Sequence, residues 1–243
     1  MADGAGPVRA NDLTIYDAEA ARWWSGETRW VRTLKAMVPG RLRHFDRLMD
    51  WEGRDVLDLG CAGGFMAEAI HDRGARVTGI DPAGRAVAAA RAHAAETGRE
   101  IRYDEGVGEA LPYPDAAFDA VVSVDVLEHV ADLGQVVREV ARVLRPGGLF
   151  LFDTINRNAL SRLAVVTMAE RVIGLLPRGT HDPALFIRPS ELRGHLAAAG
   201  LAPGAFTGLG PRGIDRRGDL VFGRLPGTLI LYMGHATKQA ADA

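Results

Sequence analysis

Cysteine is almost missing from this chain of 243 residues. Cys61 stands alone, so neither an internal disulfide nor a cysteine-built zinc cage can form. There is no charge excess of either sign. Lys and Arg total 29 against 31 Asp and Glu, which argues against bulk electrostatic binding of nucleic acid. No run of about 18 uncharged apolar residues occurs, so no membrane-spanning helix is expected. The nearest stretch, 160–177, is broken by Arg162, Glu170 and Arg171. Residues 1–10 lack the apolar run of a secretory leader and read as a disordered tail of a cytoplasmic protein. Aromatic residues are few, so the group Trp23, Trp24 and Trp30 stands out.

What remains is globular. Apolar residues make up 47% and charged residues 25%, and the length suffices to bury a core without staples. Residues 11–243 read as one domain, with a helical cap at 11–50. Short apolar runs at 56–59, 76–80, 101–103, 118–124 and 149–152 read as strands. Helical patterns at 65–72, 83–97 and 130–144 separate most of them. This alternation predicts an α/β fold with a mostly parallel sheet and helices on both faces. Ligands of such sheets bind beyond the carboxyl ends of the strands.

Glycine is abundant, and one group sits where a ligand would lie. Asp58-Leu59-Gly60-Cys61-Ala62-Gly63-Gly64 follows a strand and precedes a helix. The dinucleotide fingerprint needs G-x-G-x-x-G with a pyrophosphate at the helix N-terminus. Here the spacing is G-x-x-G-G, and Asp58 would repel a diphosphate. Asp81, followed by Pro82, comes 21 residues after Gly60 at the end of the second strand, where a carboxylate can accept both ribose hydroxyls. A plain tight turn and a strand-end helix cap are the bland alternatives. Taken together, the loop and the two acids point to a nucleoside cofactor that carries an amino group and no phosphate.

Val-Leu-Asp-Leu-Gly-Cys-Ala-Gly-Gly (56–64), Arg-Val-Thr-Gly-Ile-Asp (76–81) and Leu-Arg-Pro-Gly-Gly (144–148) resemble motifs of the class I S-adenosylmethionine-dependent methyltransferases. That resemblance implies a Rossmann-like sheet of seven strands. It places Gly60, Gly63 and Gly64 at the methionine part of the cofactor, Asp81 at the ribose, and Val107 and Gly108 at the adenine. Cys61 reads as a small packing residue beside the cofactor. A closer resemblance adds Arg22-Trp23-Trp24, Asp125-Val126-Leu127-Glu128-His129, Thr154-Ile155-Asn156-Arg157-Asn158 and Pro177-Arg178-Gly179-Thr180-His181-Asp182. This set is similar to the O-methyltransferases of ubiquinone biosynthesis, which act on catechol-type hydroxyls of polyprenylated rings. The family implies Arg41 at the cofactor carboxylate, and Val124 stands where it commonly has Met.

Asp125, Glu128 and His129 are spaced i, i+3, i+4, which on a first helical turn puts all three on one face. They are candidates for general acid–base work, with His181 as a substrate contact or second base. With Asn156 they could also ligate a divalent ion, and the family's Glu-x-x-Glu-His is linked to magnesium. Alternatively, Glu128 and His129 merely cap a helix.

The insertion at 157–189 reads as a helical lid. On a wheel of about 100° per residue, Thr167, Glu170, Arg171, Gly174 and Arg178 form a narrow polar stripe on an otherwise apolar segment. Either 160–178 packs over the site, or it meets a bilayer or lipid tail at the inner face of a membrane. The expected activity is O-methylation of a catechol or hydroquinone, with a polyprenyl tail. The rivals are methylation of a non-prenylated natural-product phenol and cofactor binding without catalysis.

Overall fold

The computed structural model describes residues 14–173 and 175–239. The tail expected at residues 1–10 and Gly174 of the polar stripe lie outside them. The order is α1 (Thr14–Glu19), α2 (Arg29–Phe45), β1 (Asp55–Leu59), α3 (Phe65–His71), β2 (Arg76–Asp81), α4 (Gly84–Glu96), β3 (Arg102–Glu105), β4 (Phe118–Ser123), α5 (Leu133–Val143) and β5 (Leu144–Ile155). Then come α6 (Ala159–Ser161), running into a π-helical stretch (Arg162–Val172), α7 (Pro189–Ala198), β6 (Leu201–Pro203), β7 (Thr207–Ile214), β8 (Leu220–Leu225) and β9 (Leu231–Lys238). Among the described residues no helix is long and apolar enough to cross a membrane.

The strands form one sheet in the order β3-β2-β1-β4-β5-β9-β7-β8, with β6 also on β9. The expectation of seven mostly parallel strands is corrected: nine strands are described, and β1 to β5 are parallel while β6 to β9 join antiparallel. Glycine and proline in the last strands (Pro203, Gly208, Gly210, Gly223, Gly234) hide their strand character.

The parallel strands are apolar on both faces because both faces are covered. Side chains alternate across the pleat, so Val56, Val122 and Leu151 enter one core with Trp30, Phe45 and Ile70. Their neighbours Leu57, Val121 and Phe150 enter the other with Val140, Leu192 and Tyr232. Helix α5 begins at Leu133, not at 130 as expected, because the Asp132 side chain caps it by accepting from the Gln135 N–H at 2.9 Å.

The N-terminal aromatics clamp the glycine loop. Trp24 Nε1 donates to the Gly63 carbonyl at 3.0 Å, and its ring stacks on His93 at 3.6 Å. Trp23 packs edge-on to Trp30 and against Phe65. The Asp17 carboxylate caps α4 by accepting from the Arg85 and Ala86 N–H groups. On the other side of this cap, Pro39-Gly40 lets α2 lie directly on β8. A Cβ at Gly40 would stand 2.8 Å from the Phe222 carbonyl oxygen. Gly40→Ala is expected to destabilise the fold by about 1–3 kcal/mol, because rigid backbone, not a flexible side chain, must give way. Urea unfolding against the parent chain measures this directly.

Candidate active site

A cleft of about 420 Å³ opens at the carboxyl ends of β1, β2 and β4. Its wall includes Arg41, Asp58, Gly60, Cys61, Asp81, Pro82, Val107, Gly108, Val124, Asp125 and His129, all singled out in the sequence. Gly60 has φ +79°, and a Cβ there would lie 2.2 Å from Val126 Cγ2. The Gly60 and Cys61 N–H groups both donate to the Ile80 carbonyl, turning the loop back onto β2. Gly63 and Gly64 do not line the cleft. Gly63 lies under the Trp23 ring, and Gly64, at φ +92°, packs against the Tyr103 hydroxyl. They shape the turn and let the aromatic clamp close.

The two strand-end acids differ. Asp81 accepts from the Ala62 and Ala83 N–H groups, one on each oxygen, at 2.9 and 2.8 Å. The bland helix-entry role is therefore real. Each carboxylate oxygen still has a second lone pair for a ribose hydroxyl. Burial pushes Asp81 up to about 6, against those two amide bonds. Asp58 is fully buried, and neither oxygen meets hydrogen-bond geometry among the described residues. Burial first, then the Asp81 charge, pushes it up to about 7, opposed by the Ala67 amide and Arg41. A buried carboxyl so poorly supplied with donors suits a ligand that brings a cation. An S-adenosylmethionine ammonium fits that need, and a diphosphate does not.

Arg41 is buried between two carboxylates, with Nε on Asp153 and Nη2 on Asp125, each at 2.5 Å. Burial opposes its charge, but Asp125 and Asp153 more than offset this, so its pKa stands above the ordinary value. Arg41 lines the cleft, and its guanidinium is engaged by two acids of the protein. Asp153 escapes sequence reasoning because it sits inside the apolar strand Leu149-Phe150-Leu151-Phe152 and onward. A single charge in such a strand was the available signal. Tyr16 was also missed. It lines the cleft, and burial followed by Asp125, Asp81 and Glu128 pushes its phenol upward.

The stretch 125–129 is not a helical turn. Asp125 has φ +55°, and the chain closes with the His129 N–H on the Val126 carbonyl. This corrects the expectation of one helical face. Asp125 turns to Arg41, while Glu128 goes inward, where Thr154 Oγ1 donates to its Oε2 at 2.7 Å. Burial, then Asp125, pushes the Glu128 carboxyl well above the usual carboxylate range. Burial, then the neighbouring His181, pushes His129 down to about 3, so it is neutral there. The His129 and His181 ring centroids lie 5.1 Å apart.

The expected magnesium set of Asp125, Glu128, His129 and Asn156 is not assembled. Asp125 is on Arg41, and Asn156 Nδ2 donates to the Thr228 carbonyl at 2.7 Å. Asn158 likewise donates to the Leu229 carbonyl and caps α6. The asparagine motif therefore ties β5 to the loop before β9. Glu128, His129 and His181 do converge, with donor atoms within 4.8 Å of one another. Two imidazoles and a single carboxyl make a nitrogen-rich set that suits a hard, oxygen-seeking ion poorly.

A family model described as a methyltransferase domain matches residues 57–152. The chain is 44% identical over 194 residues to a ubiquinone biosynthesis O-methyltransferase of Paracidovorax citrulli (strain AAC00-1), covering 79% of this chain and 81% of the relative. A protein of the same name from Marinobacter nauticus (strain ATCC 700491 / DSM 11845 / VT8) is 39% identical over 205 residues, covering 83% and 86%. Among solved structures, an S-adenosylmethionine-dependent methyltransferase from Aquifex aeolicus superposes with TM-score 0.60 at 17% identity, covering 86% of this chain and 98% of that one. One from Methanosarcina mazei gives 0.61 at 19%, covering 82% and 98%. These two show a shared fold.

Asp58→Asn separates stability from binding. Asp58 titrates near 3.8 when unfolded and near 7 when folded, so its ionisation weighs increasingly against the fold as pH rises between those values. The variant is expected to melt above the parent at pH 7.5, with the gap closing by pH 4. Its S-adenosylmethionine affinity should fall about tenfold or more, as loss of a hydrogen bond to a charged group implies. Melting curves at both pH values and calorimetry check the two halves.

Proposed function

Because this chain belongs to the ubiquinone biosynthesis O-methyltransferases, we propose that it methylates a phenolic hydroxyl of a polyprenylated catechol or hydroquinone, using S-adenosylmethionine. The observation that carries this reading is that His129 shares one cleft wall with Asp58, Gly60 and Asp81. A proton acceptor and a nucleoside site of the right chemistry therefore face the same space.

Bound there, the cofactor supplies a methyl group on a sulfonium sulfur, already activated for in-line displacement. Asp58 meets its ammonium, Asp81 its ribose, and Val107, 45% exposed at the rim, its adenine. Tyr16 and Trp23 also line the cleft and help exclude water. The acceptor oxygen is a phenol, protonated at neutral pH because phenols titrate near ~10. His129, held neutral by burial, accepts that proton while the O–H electrons stay on oxygen. A weakly basic imidazole suffices, because the hydroxyl becomes strongly acidic as the O–CH₃ bond forms. Asp125 raises the basicity of His129. His181 is not in the cleft wall itself, but its ring lies 5.1 Å from that of His129, and on that proximity it is assigned to the second ring oxygen. No step runs through magnesium, since Asp125 and Asn156, two of the four residues expected to hold that ion, are engaged by Arg41 and the Thr228 carbonyl.

The tail reading is supported by the insertion after β5. Leu160, Leu163, Met168, Val172 and Ile173 are exposed there, a concentration of apolar surface that a lipid tail or a bilayer would cover.

Two outcomes test this function. His129→Ala should lower kcat about 10²–10⁴-fold, the usual range for a general base, with cofactor affinity kept. A catechol carrying one prenyl unit should exceed plain catechol in kcat/KM by about tenfold or more, given ~0.8 kcal/mol per buried CH₂. Equal values would remove the tail from the proposal. Normal turnover in His129→Ala would remove the base.

A further inference from the structure

We propose that Glu170 is a positioning residue for His181, and that the π-helical insertion exists partly to deliver it. The inference rests on the methyltransfer reading above, in which His181 meets the substrate.

Glu170 is the odd residue of its segment. An α-helical wheel puts it on the polar stripe, facing outward with Arg171. In the structure it is 2% exposed, while Val172, two residues on, is 65% exposed. The buried residues of this stretch are Val165, Val166 and Glu170. That spacing of four and five follows from π winding, which closes residue i onto i+5 and stacks position 170 over 165. The Ile173 N–H on the Met168 carbonyl, at 2.8 Å, is one such bond. Ordinary α winding would keep Glu170 beside Val166 but turn it about 140° from Val165, toward the edge of the row. The winding thus turns one acid inward and leaves apolar side chains outside.

The carboxylate makes three bonds, all into one loop. Oε2 accepts from the Gly179 N–H at 2.8 Å. Oε1 accepts from the His181 N–H at 3.1 Å and lies 2.9 Å from His181 Nδ1. Gly179 has φ +83°, a left-handed corner that directs its N–H group at the acid. A carboxylate next to Nδ1 selects the tautomer with its proton there, leaving Nε2 as the acceptor nitrogen. The ring is also fixed from its other sides, by His129 at 5.1 Å and by Phe186 at 6.1 Å between centroids. Glu170 thereby sets which His181 nitrogen can accept a hydrogen bond from the substrate's second oxygen, without touching substrate itself. The same helix presents Leu163 and Val172 outward, so the residue that orients His181 is carried by the element most exposed to an apolar tail or surface.

A loop anchor alone would explain the two backbone bonds. The bond to the ring distinguishes the proposals, and a double-mutant cycle with Glu170→Gln and His181→Ala measures it. Glu170→Gln should lower kcat about tenfold or more in the parent background and have almost no effect once His181 is gone. Equal losses in both backgrounds would overturn the positioning role and leave an anchor. Cofactor affinity should stay unchanged throughout. Nitrogen-15 NMR of the full-length protein reads the His181 tautomer without using activity. The Nδ1–H form should dominate in the parent and lose population in Glu170→Gln, and an unchanged spectrum would overturn the proposal. Glu170→Asp, which keeps the charge, serves if Gln impairs folding; it should lose less turnover than Glu170→Ala. If the parent chain methylates no phenol, the function reading fails on its own, and the NMR result still decides the role of Glu170.

Discussion

The buried guanidinium of Arg41 is the interaction on which the site depends. It joins α2 to β5 through Asp153 and to the loop after β4 through Asp125. A cation so deeply placed is tolerable only because both carboxylates meet it; removing one partner of such a group costs about 3–5 kcal/mol. The cluster also explains a strained backbone. Asp125 has φ +55°, a conformation costing a non-glycine residue of order 1–3 kcal/mol. Its N–H donates to Asp153 and its side chain meets Arg41, so it is held from both ends. That left-handed residue ends β4 abruptly and sends Val126 toward the glycine loop. Val126 then fills the space a Cβ at Gly60 would occupy. The glycine at 60 is thus required by packing that traces back to Arg41, as well as by its own positive φ.

Charge in the cleft follows a simple logic. Asp58 and Asp81 are both pushed upward by burial, so each gains when a ligand brings a positive group or a hydroxyl donor. Glu128 and His129 are pushed in opposite directions by the same burial, each toward its neutral form. One half of the cleft is therefore prepared to stabilise charge, and the other to receive a proton. The fold makes this possible by ending β1, β2 and β4 at one edge, where short loops bring distant residues together.

Much of this was legible in the chain. Asp58, Gly60, Asp81 and His129 follow strand ends that apolar runs make obvious, and they converge because parallel strands end together. Three features were hidden for physical reasons. Asp125 broke the helical spacing argument, since one left-handed residue changes where the next four side chains point. Asp153 lay inside a strand whose four preceding residues are apolar, and only long-range packing brings Arg41 to it. Glu170 was assigned to the wrong face because a wheel of 100° per residue does not describe π winding. The C-terminal strands were blurred by glycine and proline, which lower strand propensity without preventing pairing against β5.

The central claim is that one cleft delivers a methyl group to a phenolic oxygen. Incubation with S-adenosylmethionine labelled in its methyl carbon and a short-chain prenyl catechol, followed by NMR of the product, addresses it most directly. The account predicts a single labelled methyl bonded to oxygen, formed by the parent chain and almost lost in His129→Ala while the cofactor still binds. A labelled methyl on ring carbon, or no transfer by a chain that binds the cofactor, would contradict it.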